Sequence, residues 1–236
     1  MFDRSPEAVI QSLVSAELYS EGHLKEDGSP MVPLVTVSRS CGSNGTLIAQ
    51  QLSERLKVRF YDKELLNEIV KVAKGDKYLL ERLDEHATTL MDELIHTFFA
   101  KKGVSRHDFH HYLIKVVLGI SRTGGVIVGR GAHLLVPHPR VFRLRLEGSL
   151  PICAKRIAER MGVKPAKAEK IILKTDADRD EFVKKIFKSY PTKRIFYDLV
   201  VNTDNFTTQQ VVNIVAVAMA EAGFAVPEIT PAAAQE

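Results

Sequence analysis

Residues 35–52 read VTVSRSCGSNGTLIAQQL, a buried strand that runs through a turn rich in Ser and Gly into a helix. The apolar residues Leu47, Ile48, Leu52 and Leu56 recur about once per helical turn, so the helix begins near the end of this turn. A strand, turn and helix in this order direct backbone N–H groups and the positive end of the helix dipole toward one point. The stretch therefore predicts an anion-binding turn between the first strand and the helix that follows it.

The rest of the chain alternates between short apolar runs and amphipathic stretches. Further strands are expected at 58–62, 126–128, 141–146 and within 196–203, with helices between them and two helical pieces in 165–190. This alternation is typical of an α/β fold with three layers, in which helices cover both faces of a parallel sheet. Ligands of such sheets bind beyond the carboxyl ends of the strands, so the turns that follow the strands are expected to hold the chemistry.

Composition and charge narrow the class of protein. The 236 residues are 45% hydrophobic and 26% charged, which suits one globular domain with a smaller mobile subdomain. The formal net charge of +4 is too small to indicate a nucleic-acid partner, but residues 151–194 hold thirteen Lys and Arg against six Asp and Glu. That segment therefore carries the positive field of the protein.

The cellular compartment is suggested by what the chain lacks. Its two cysteines, Cys41 and Cys153, form neither a disulfide framework nor a cluster that would predict a protein-bound metal. The N-terminus does not resemble a signal peptide, and no apolar run is long enough to span a membrane. We therefore expect a cytoplasmic protein with no membrane partner.

The first turn fits the phosphate-binding loop of P-loop proteins, with one important exception. The range Ser38–Gly45 spans the eight positions of such a loop, although Ser38 replaces the first Gly and Ser43 the last. The usual loop has a Lys directly after its last Gly, and Asn44 occupies that position here. The candidate phosphate-binding residues are Ser40, Gly42, Ser43, Asn44, Gly45 and Thr46.

A dinucleotide-binding fingerprint is an alternative interpretation of the same turn. In the pattern Ser40-x-Gly42-x-x-Gly45, Ser again replaces the first Gly, and Asp62 lies twenty residues beyond Gly42, where an acid that binds ribose is expected. A glycine-rich turn that binds no ligand is the third interpretation.

The cationic segment favours phosphoryl transfer over dinucleotide binding. A phosphoryl-transfer enzyme must neutralise charge on the transferring group and exclude water from it, whereas a dinucleotide-binding domain has no such need. Arg179 is the candidate that closes over phosphates, and Arg156 and Arg160 could act from the preceding helix. The alternative is a solvated helix face, because the aspartates around Arg179 can neutralise these cations locally.

Three stretches, in this order, resemble the cytidylate kinase-like family of bacteria, a divergent branch of the nucleoside monophosphate kinases in the P-loop superfamily. They are TVSRSCGSNGTLIAQQLSERLKVRFYDKELL (36–66), VIVGRGAHLL (126–135), and KTDADRDEF (174–182) followed by YDLVVNT (197–203). Relatives in this branch also tend to lack the lysine, and they often carry Ser-Arg at the start of the loop and Arg at the position of Thr46. This chain keeps Arg39 but not that second arginine.

The resemblance implies a P-loop kinase fold of α/β/α type, with a parallel sheet, a helical insert that binds a nucleoside monophosphate (NMP), and a lid. The implied kinase-like domain covers residues 33–223, with the insert at about 62–123 and the lid at about 163–194. Residues 1–32 are expected to form an N-terminal helix and a linker, and residues 224–236 a flexible tail. The N-terminal helix could dock on its own domain or on a second subunit of a homo-oligomer.

The reaction that the resemblance implies is transfer of the γ-phosphoryl group of ATP, with Mg²⁺, to CMP or dCMP. Since the lysine is missing, we expect Arg39, Arg130 and Arg179 to share its role as catalytic residues. The residues expected to bind the substrate are Asp62, Lys63, Arg156 and Arg160. Structural alternatives are a helix N-cap for Asp62 and an ion pair with an aspartate for Arg130.

Two other functions remain open on the sequence. A nucleotide-binding regulator whose kinase site has decayed is favoured by the missing lysine, and a dinucleotide-dependent enzyme is favoured by the fingerprint at Ser40-x-Gly42-x-x-Gly45.

Overall fold

A five-stranded parallel sheet forms the centre of the protein in the computed structural model, which describes residues 5–6, 9, 32–75, 109–136, 141–186 and 196–227. The strands are β1 Leu34–Arg39, β2 Phe60–Tyr61, β3 Gly125–Val128, β4 Phe142–Glu147 and β5 Leu199–Asn202. The helices of the described residues are α1 Gly45–Leu56, α2 Lys63–Gly75, α3 Phe109–Thr123, α4 Leu150–Met161, α5 Pro165–Ile186 and α6 Thr208–Glu221. A single 3-10 turn, Ala132–Leu134, follows β3.

The strand order β2-β3-β1-β4-β5 places β1 in the middle of the sheet. Val35 of β1 is aligned with Val126 of β3 on one side and with Phe142 of β4 on the other. The turn after β1 is therefore flanked by the turns after β3 and β4. In the dinucleotide-binding fold the second strand pairs with the first, whereas here β3 takes that place, which argues against the dinucleotide interpretation.

Helices cover both faces of the sheet because successive side chains of a strand point to opposite sides. Val35 and Val37 pack in one buried cluster with apolar residues of α1 and α6. Leu34 and Ile127 pack in a second cluster with residues of α2 and α3. The predicted three-layer α/β/α architecture is therefore confirmed.

The segment after α4 is one continuous helix in the described residues, although the sequence suggested two helical pieces. The left-handed backbone of Gly162, with φ 63°, ends α4. Pro165 then occupies the first helical position of α5, where its missing N–H costs nothing. No Gly or Pro follows within Pro165–Ile186, so nothing in the sequence interrupts the helix.

Both ends of the described chain pack on the domain. Val9 is only 1% exposed and lies in the cluster of α2 and α3, so at this residue the N-terminal segment contacts its own domain. Phe224 contacts the ring of Phe142 edge-on at 5.6 Å, and Arg55 donates a hydrogen bond to the carbonyl of Pro227 at 2.6 Å. The described chain is therefore packed on the domain as far as Pro227.

Parts of the predicted segments lie outside the described residues, namely most of 1–31, residues 76–108 of the insert, 187–195 of the lid and 228–236 of the tail. Among the helices that are described, none combines the length and the hydropathy that a membrane span requires.

Candidate active site

The turn after β1 is held by its own backbone and by β4. The N–H of Ser40 donates to the carbonyl of Leu146 at 3.0 Å, and the hydroxyl of buried Ser43 donates back to the carbonyl of Ser40 at 2.9 Å. Asn44 then adopts a left-handed conformation with φ 57°, which Asn tolerates better than most residues, and α1 begins at Gly45. The turn and the start of α1 thus form the predicted strand–turn–helix unit.

Two glycines of the turn allow its close packing. A Cβ at Gly42 would lie 2.6 Å from the Cβ of Cys153 on α4, and a Cβ at Gly45 would lie 2.5 Å from the Cβ of Arg39. No side chain could be added at either position without moving the backbone. These glycines therefore fix the turn against α4 and against the end of β1.

Arg156 ties the turn to the far edge of the sheet. Its guanidinium donates to the carbonyl of Gly42 at 3.4 Å and to the carbonyl and hydroxyl of Thr203, just after β5, at 2.7 and 3.1 Å. The N–H of Thr203 in turn donates to the carbonyl of Glu147 at 2.8 Å. Two nitrogens of Arg156 are thus engaged with Gly42 and Thr203 of the protein itself, and Arg160, one turn further along α4, is exposed. Binding of substrate by these two arginines stays a prediction.

The side chain of Arg39 extends from the end of β1 to the turn after β3. Its guanidinium lies so close to Gly129 that a Cβ there would be 2.5 Å from Nη1. Burial, together with the positive charge of Arg179, lowers the pKa of Arg39 to about 10, and the carboxylates of Glu64 and Asp176 offset this only in part. Arg39 stays charged near neutral pH in a crowded, partly dry environment.

Arg130 is held at the contact of three helices. It has a left-handed backbone with φ 54°, and its guanidinium donates to Oδ1 of Asn67 on α2 at 2.6 Å. The guanidinium also lies 4.5 Å from the ring centre of Phe182 on α5 and 5.9 Å from that of Phe109 on α3. Burial lowers the pKa of Arg130, and the charge of Glu64 opposes this shift.

Arg179 and Asp176 bring α5 to the turn. Arg179 donates to the carbonyl of Arg39 at 3.1 Å and to Oδ1 of Asp176, one helical turn before it, at 2.9 Å. Both carboxylate oxygens of Asp176 accept the N–H of Cys41, at 2.9 and 3.0 Å. The pairing of Asp176 with Arg179 agrees with the alternative that the aspartates neutralise cations of their own helix, whereas the contact of Asp176 with the turn was not expected from the sequence.

Other predicted residues have simpler surroundings. The carboxylate of Asp62 accepts the N–H of Leu65 at 2.8 Å, so it caps α2 as the structural alternative proposed. Lys63, in the first turn of α2, and Thr46, in the first turn of α1, are exposed. Binding of substrate or of nucleotide by these three residues stays a prediction.

A buried histidine lies directly behind the turn. Nδ1 of His133 is 3.2 Å from the hydroxyl of Ser38, and Nε2 is 3.2 Å from the hydroxyl of Tyr197, whose ring is stacked on the imidazole at 5.0 Å. Burial lowers the pKa of His133 to about 4, with the positive charges of Arg145 and Arg143 acting in the same direction. The imidazole is therefore neutral near pH 7 and serves packing and hydrogen bonding rather than acid chemistry.

The site holds an excess of positive charge and of unused donors. The electrostatic interactions of Arg39 place Arg130 and Arg179 near it, so the three arginines that the sequence singled out lie in one region. Buried Nε atoms of Arg39 and Arg130 and the hydroxyl of Ser40 have no hydrogen-bond partner among the described residues. Buried donors without partners are costly, so this arrangement suits an anionic ligand.

Solved structures similar to this chain share its architecture. An uncharacterized protein from Eubacterium ventriosum matches with a TM-score of 0.65 at 23% identity, over 80% of this chain and 99% of that one. A shikimate kinase from Bacteroides thetaiotaomicron matches with a TM-score of 0.45 at 11% identity, over 80% and 98% of the two chains. A gluconokinase from Sinorhizobium meliloti also matches with a TM-score of 0.45, at 13% identity, over 81% and 93%.

The first of these likenesses concerns the fold alone, and the other two are too distant to bear on function. No curated protein matches the chain. The family model of the cytidylate kinase-like family matches residues 34–205, which include the turn after β1, all five strands and α5. The predicted α/β fold of P-loop kinase type is thus confirmed, and the chain belongs to the cytidylate kinase-like family.

Proposed function

We propose that this protein is a nucleoside monophosphate kinase-like phosphotransferase, which transfers the γ-phosphoryl group of ATP to CMP or dCMP. The observation that carries the proposal is the meeting of Arg39, Arg130 and Arg179 beside the turn after β1. Phosphoryl transfer requires positioning and stabilisation of charge rather than covalent chemistry by the protein. Three guanidiniums in a partly buried place supply that stabilisation without the usual lysine.

The donor phosphates would lie against the turn. Its N–H groups belong to the backbone and remain available whatever side chain occupies position 44. The hydroxyl of Ser40 and the Nε of Arg39, both buried and without partners among the described residues, are further donors for phosphate oxygens. A lysine acts on phosphates as a point charge, so guanidiniums that converge from β1 and α5 can replace its electrostatic effect.

Magnesium would accompany ATP and neutralise part of the charge of its phosphates. Mg²⁺ usually keeps several waters and binds mainly through phosphates and one or two protein oxygens. The hydroxyl of Thr46, at the start of α1, and the carboxylate of Glu64, whose charge acts on Arg39 and Arg130, are protein oxygens that suit this need.

The acceptor phosphate would bind beside Arg130. Its guanidinium is anchored by Asn67 and by the ring of Phe182, yet its Nε remains without a partner among the described residues. A guanidinium that is fixed by other contacts and has one unused donor can hold a phosphate in a defined orientation. Residues of α2, α3 and α5 surround this position, as expected if the insert and the lid close around the acceptor.

The test is a coupled assay of ADP release from ATP, with CMP, dCMP and the other nucleoside monophosphates as acceptors. Arg39→Ala and Arg130→Ala should each lower turnover by roughly 10²–10³, the usual effect of removing a stabiliser of transition-state charge. Lys170→Ala removes an exposed cation from α5 and should act as wild type. Wild-type turnover in both arginine variants would refute the roles proposed for them.

A nucleotide-binding regulator is the second candidate, because Asn44 stands where the catalytic lysine is usual. Calorimetry with ATP, run beside the coupled assay, separates the two. Binding of ATP with no turnover on any monophosphate would select the regulator, whereas ADP release that depends on CMP or dCMP would select the kinase.

A further inference from the structure

The turn after β1 already holds an anion, which comes from the protein itself. Both carboxylate oxygens of Asp176 accept the N–H of Cys41, at 2.9 and 3.0 Å. Oδ1 also accepts from Arg179 at 2.9 Å. A negatively charged group is thus bound by one backbone N–H of the turn and by one guanidinium of α5.

These two donors are of the kind that a phosphate oxygen prefers. Oxyanions bind most strongly to backbone N–H groups of such turns and to guanidiniums, because both hydrogen bonds gain from charge. A carboxylate and a phosphate differ in charge and size, but each presents oxygens with the same hydrogen-bonding capacity. A phosphate that reached Cys41 and Arg179 would therefore compete directly with Asp176.

The position along the turn indicates which phosphate competes. The N-terminus of α1, which starts at Gly45, is the natural place for one phosphate of a nucleotide. Cys41 comes four residues earlier, two residues after the end of β1, and the carboxylate on its N–H is also bound by Arg179 of α5. A group bound there corresponds to a phosphate further along the chain of a triphosphate, so ATP reaches this position more fully than ADP.

We infer that Asp176 is an internal competitor of ATP, which occupies the place of the terminal phosphate until the nucleotide displaces it. The inference rests on the proposed function for its donor, ATP. Displacement breaks the bonds from Asp176 to Cys41 and Arg179 and gives both donors to the phosphate. Because the side chain of Asp176 is 33% exposed, its displaced carboxylate can turn into water and need not stay buried without a hydrogen-bond partner.

The other role that this geometry permits is a positioning one, in which Asp176 orients Arg179 for phosphate binding. The two roles predict opposite results. If Asp176 competes, its removal strengthens ATP binding, and if it only positions Arg179, its removal weakens ATP binding. The comparison of ATP with ADP adds a second distinction, because an effect that is purely structural would act on both nucleotides alike.

The experiment is calorimetry of ATP and ADP binding to the full chain and to variants of α5. Asp176→Ala should lower the dissociation constant for ATP about tenfold, the scale of one hydrogen bond to a charged group, and that for ADP by less. Asp176→Asn keeps an acceptor for Cys41 but loses the charge, so an intermediate gain is expected. Asp178→Ala removes an exposed carboxylate two residues away and should leave both affinities unchanged.

A second measurement examines the contact itself without nucleotide. Amide hydrogen exchange of Cys41 should be faster in Asp176→Ala than in wild type or Asp178→Ala. Equal exchange rates, or ATP affinity that is unchanged or weaker in both Asp176 variants, would overturn the inference.

Failure of the inference can be told apart from failure of the proposed function. If CMP is phosphorylated while Asp176→Ala leaves ATP affinity unchanged, only the inference fails. If ATP affinity rises in Asp176→Ala but no monophosphate is phosphorylated, the inference stands and the kinase proposal fails. If no variant binds ATP, both are overturned.

Discussion

The guanidinium of Arg39 lies directly against Gly129, at a distance at which any side chain on residue 129 would displace it. A Cβ there would be 2.5 Å from Nη1 of Arg39, and the φ angle of 78° already favours glycine. The turn after β3 thereby lets the side chain at the end of β1 cross to the neighbourhood of Arg130. Glycine is needed here both for the backbone and for the space that Arg39 fills.

Replacing Gly129 should therefore lower the free energy of unfolding by more than backbone strain alone would. Gly129→Ala is expected to lower the free energy of unfolding by about 1–3 kcal/mol for the left-handed backbone, with a further loss from the displaced Arg39, and to reduce turnover. Gly162→Ala is the matched control, because Gly162 has φ 63° but nothing within 4 Å of a Cβ. Urea denaturation and the coupled assay measure both effects; equal losses in the two variants would contradict this account.

Arg156 should be more important for stability than its partial exposure suggests. Arg156→Lys keeps the charge but loses the planar fork that holds Gly42 and Thr203 together, since lysine cannot donate to both in this geometry. We expect a loss of about 1–3 kcal/mol in the free energy of unfolding, measured by urea denaturation. Arg160→Lys, on the exposed part of α4, should lose nothing measurable, and a similarly stable Arg156→Lys would refute the role of this contact.

His133 should make the protein less stable as the pH falls below neutral. Its pKa is about 4 in the folded protein, against 6.5 for an ordinary histidine, so the unfolded chain binds more protons than the folded protein between these two values. As the pH falls from 6.5 toward 4, the unfolded chain takes up the proton first, and folding loses up to about 3 kcal/mol.

His133→Gln removes this titration and keeps groups that can bond to Ser38 and Tyr197. The drop in the free energy of unfolding between about pH 7 and about pH 5 should be smaller in the variant than in wild type. Carboxylates titrate in both proteins, so the comparison cancels their contribution. An identical drop in the two proteins would show that folding does not lower the pKa of His133.

A lysine at position 44 should show how strongly a new positive charge is repelled by the arginines beside the turn. Asn44→Lys adds a charge near Arg39, whose pKa is already lowered by burial and by Arg179. We expect lower thermal stability than in Asn44→Gln without nucleotide, by about 1 kcal/mol for charges a few ångströms apart in water, and a larger stabilisation by ATP. Thermal unfolding with and without ATP measures both, and equal behaviour of the two variants would place residue 44 outside the field of the arginines.

The fold and the turn were predictable because their causes are local. The apolar run of β1, the glycines of the turn and the amphipathic pattern of α1 lie within a few residues of one another and act through backbone conformation. The same holds for Asp62, whose cap on α2 follows from its position before the helix. Arg39, Arg130 and Arg179, in contrast, were named from the missing lysine, the cationic segment and the family resemblance rather than from local structure.

The contacts of side chains with backbone groups far away in the sequence were not predictable. Asp176 meets Cys41 across 135 residues, and Arg156 meets Gly42 across 114. Each depends on the rotation of a helix and on the length of one side chain, and neither leaves a periodic signal in the sequence. The spacing of Asp176 and Arg179, one helical turn apart, indicates that the two can pair, but not that the pair contacts the turn.

Helices α4 and α5 hold the turn after β1 in different ways. On the side of α4, Arg156 donates to two main-chain carbonyls, one after the central strand β1 and one after the edge strand β5, and so fixes the turn to the sheet. On the side of α5, the attachment consists of the side chains of Asp176 and Arg179, each about one third open to water. Ala168 and Ile172 of α5 are buried in one cluster with Cys153 and Ile157 of α4, so apolar packing ties α5 to α4, and a ligand gains access by the exchange of two side chains rather than by the departure of a helix.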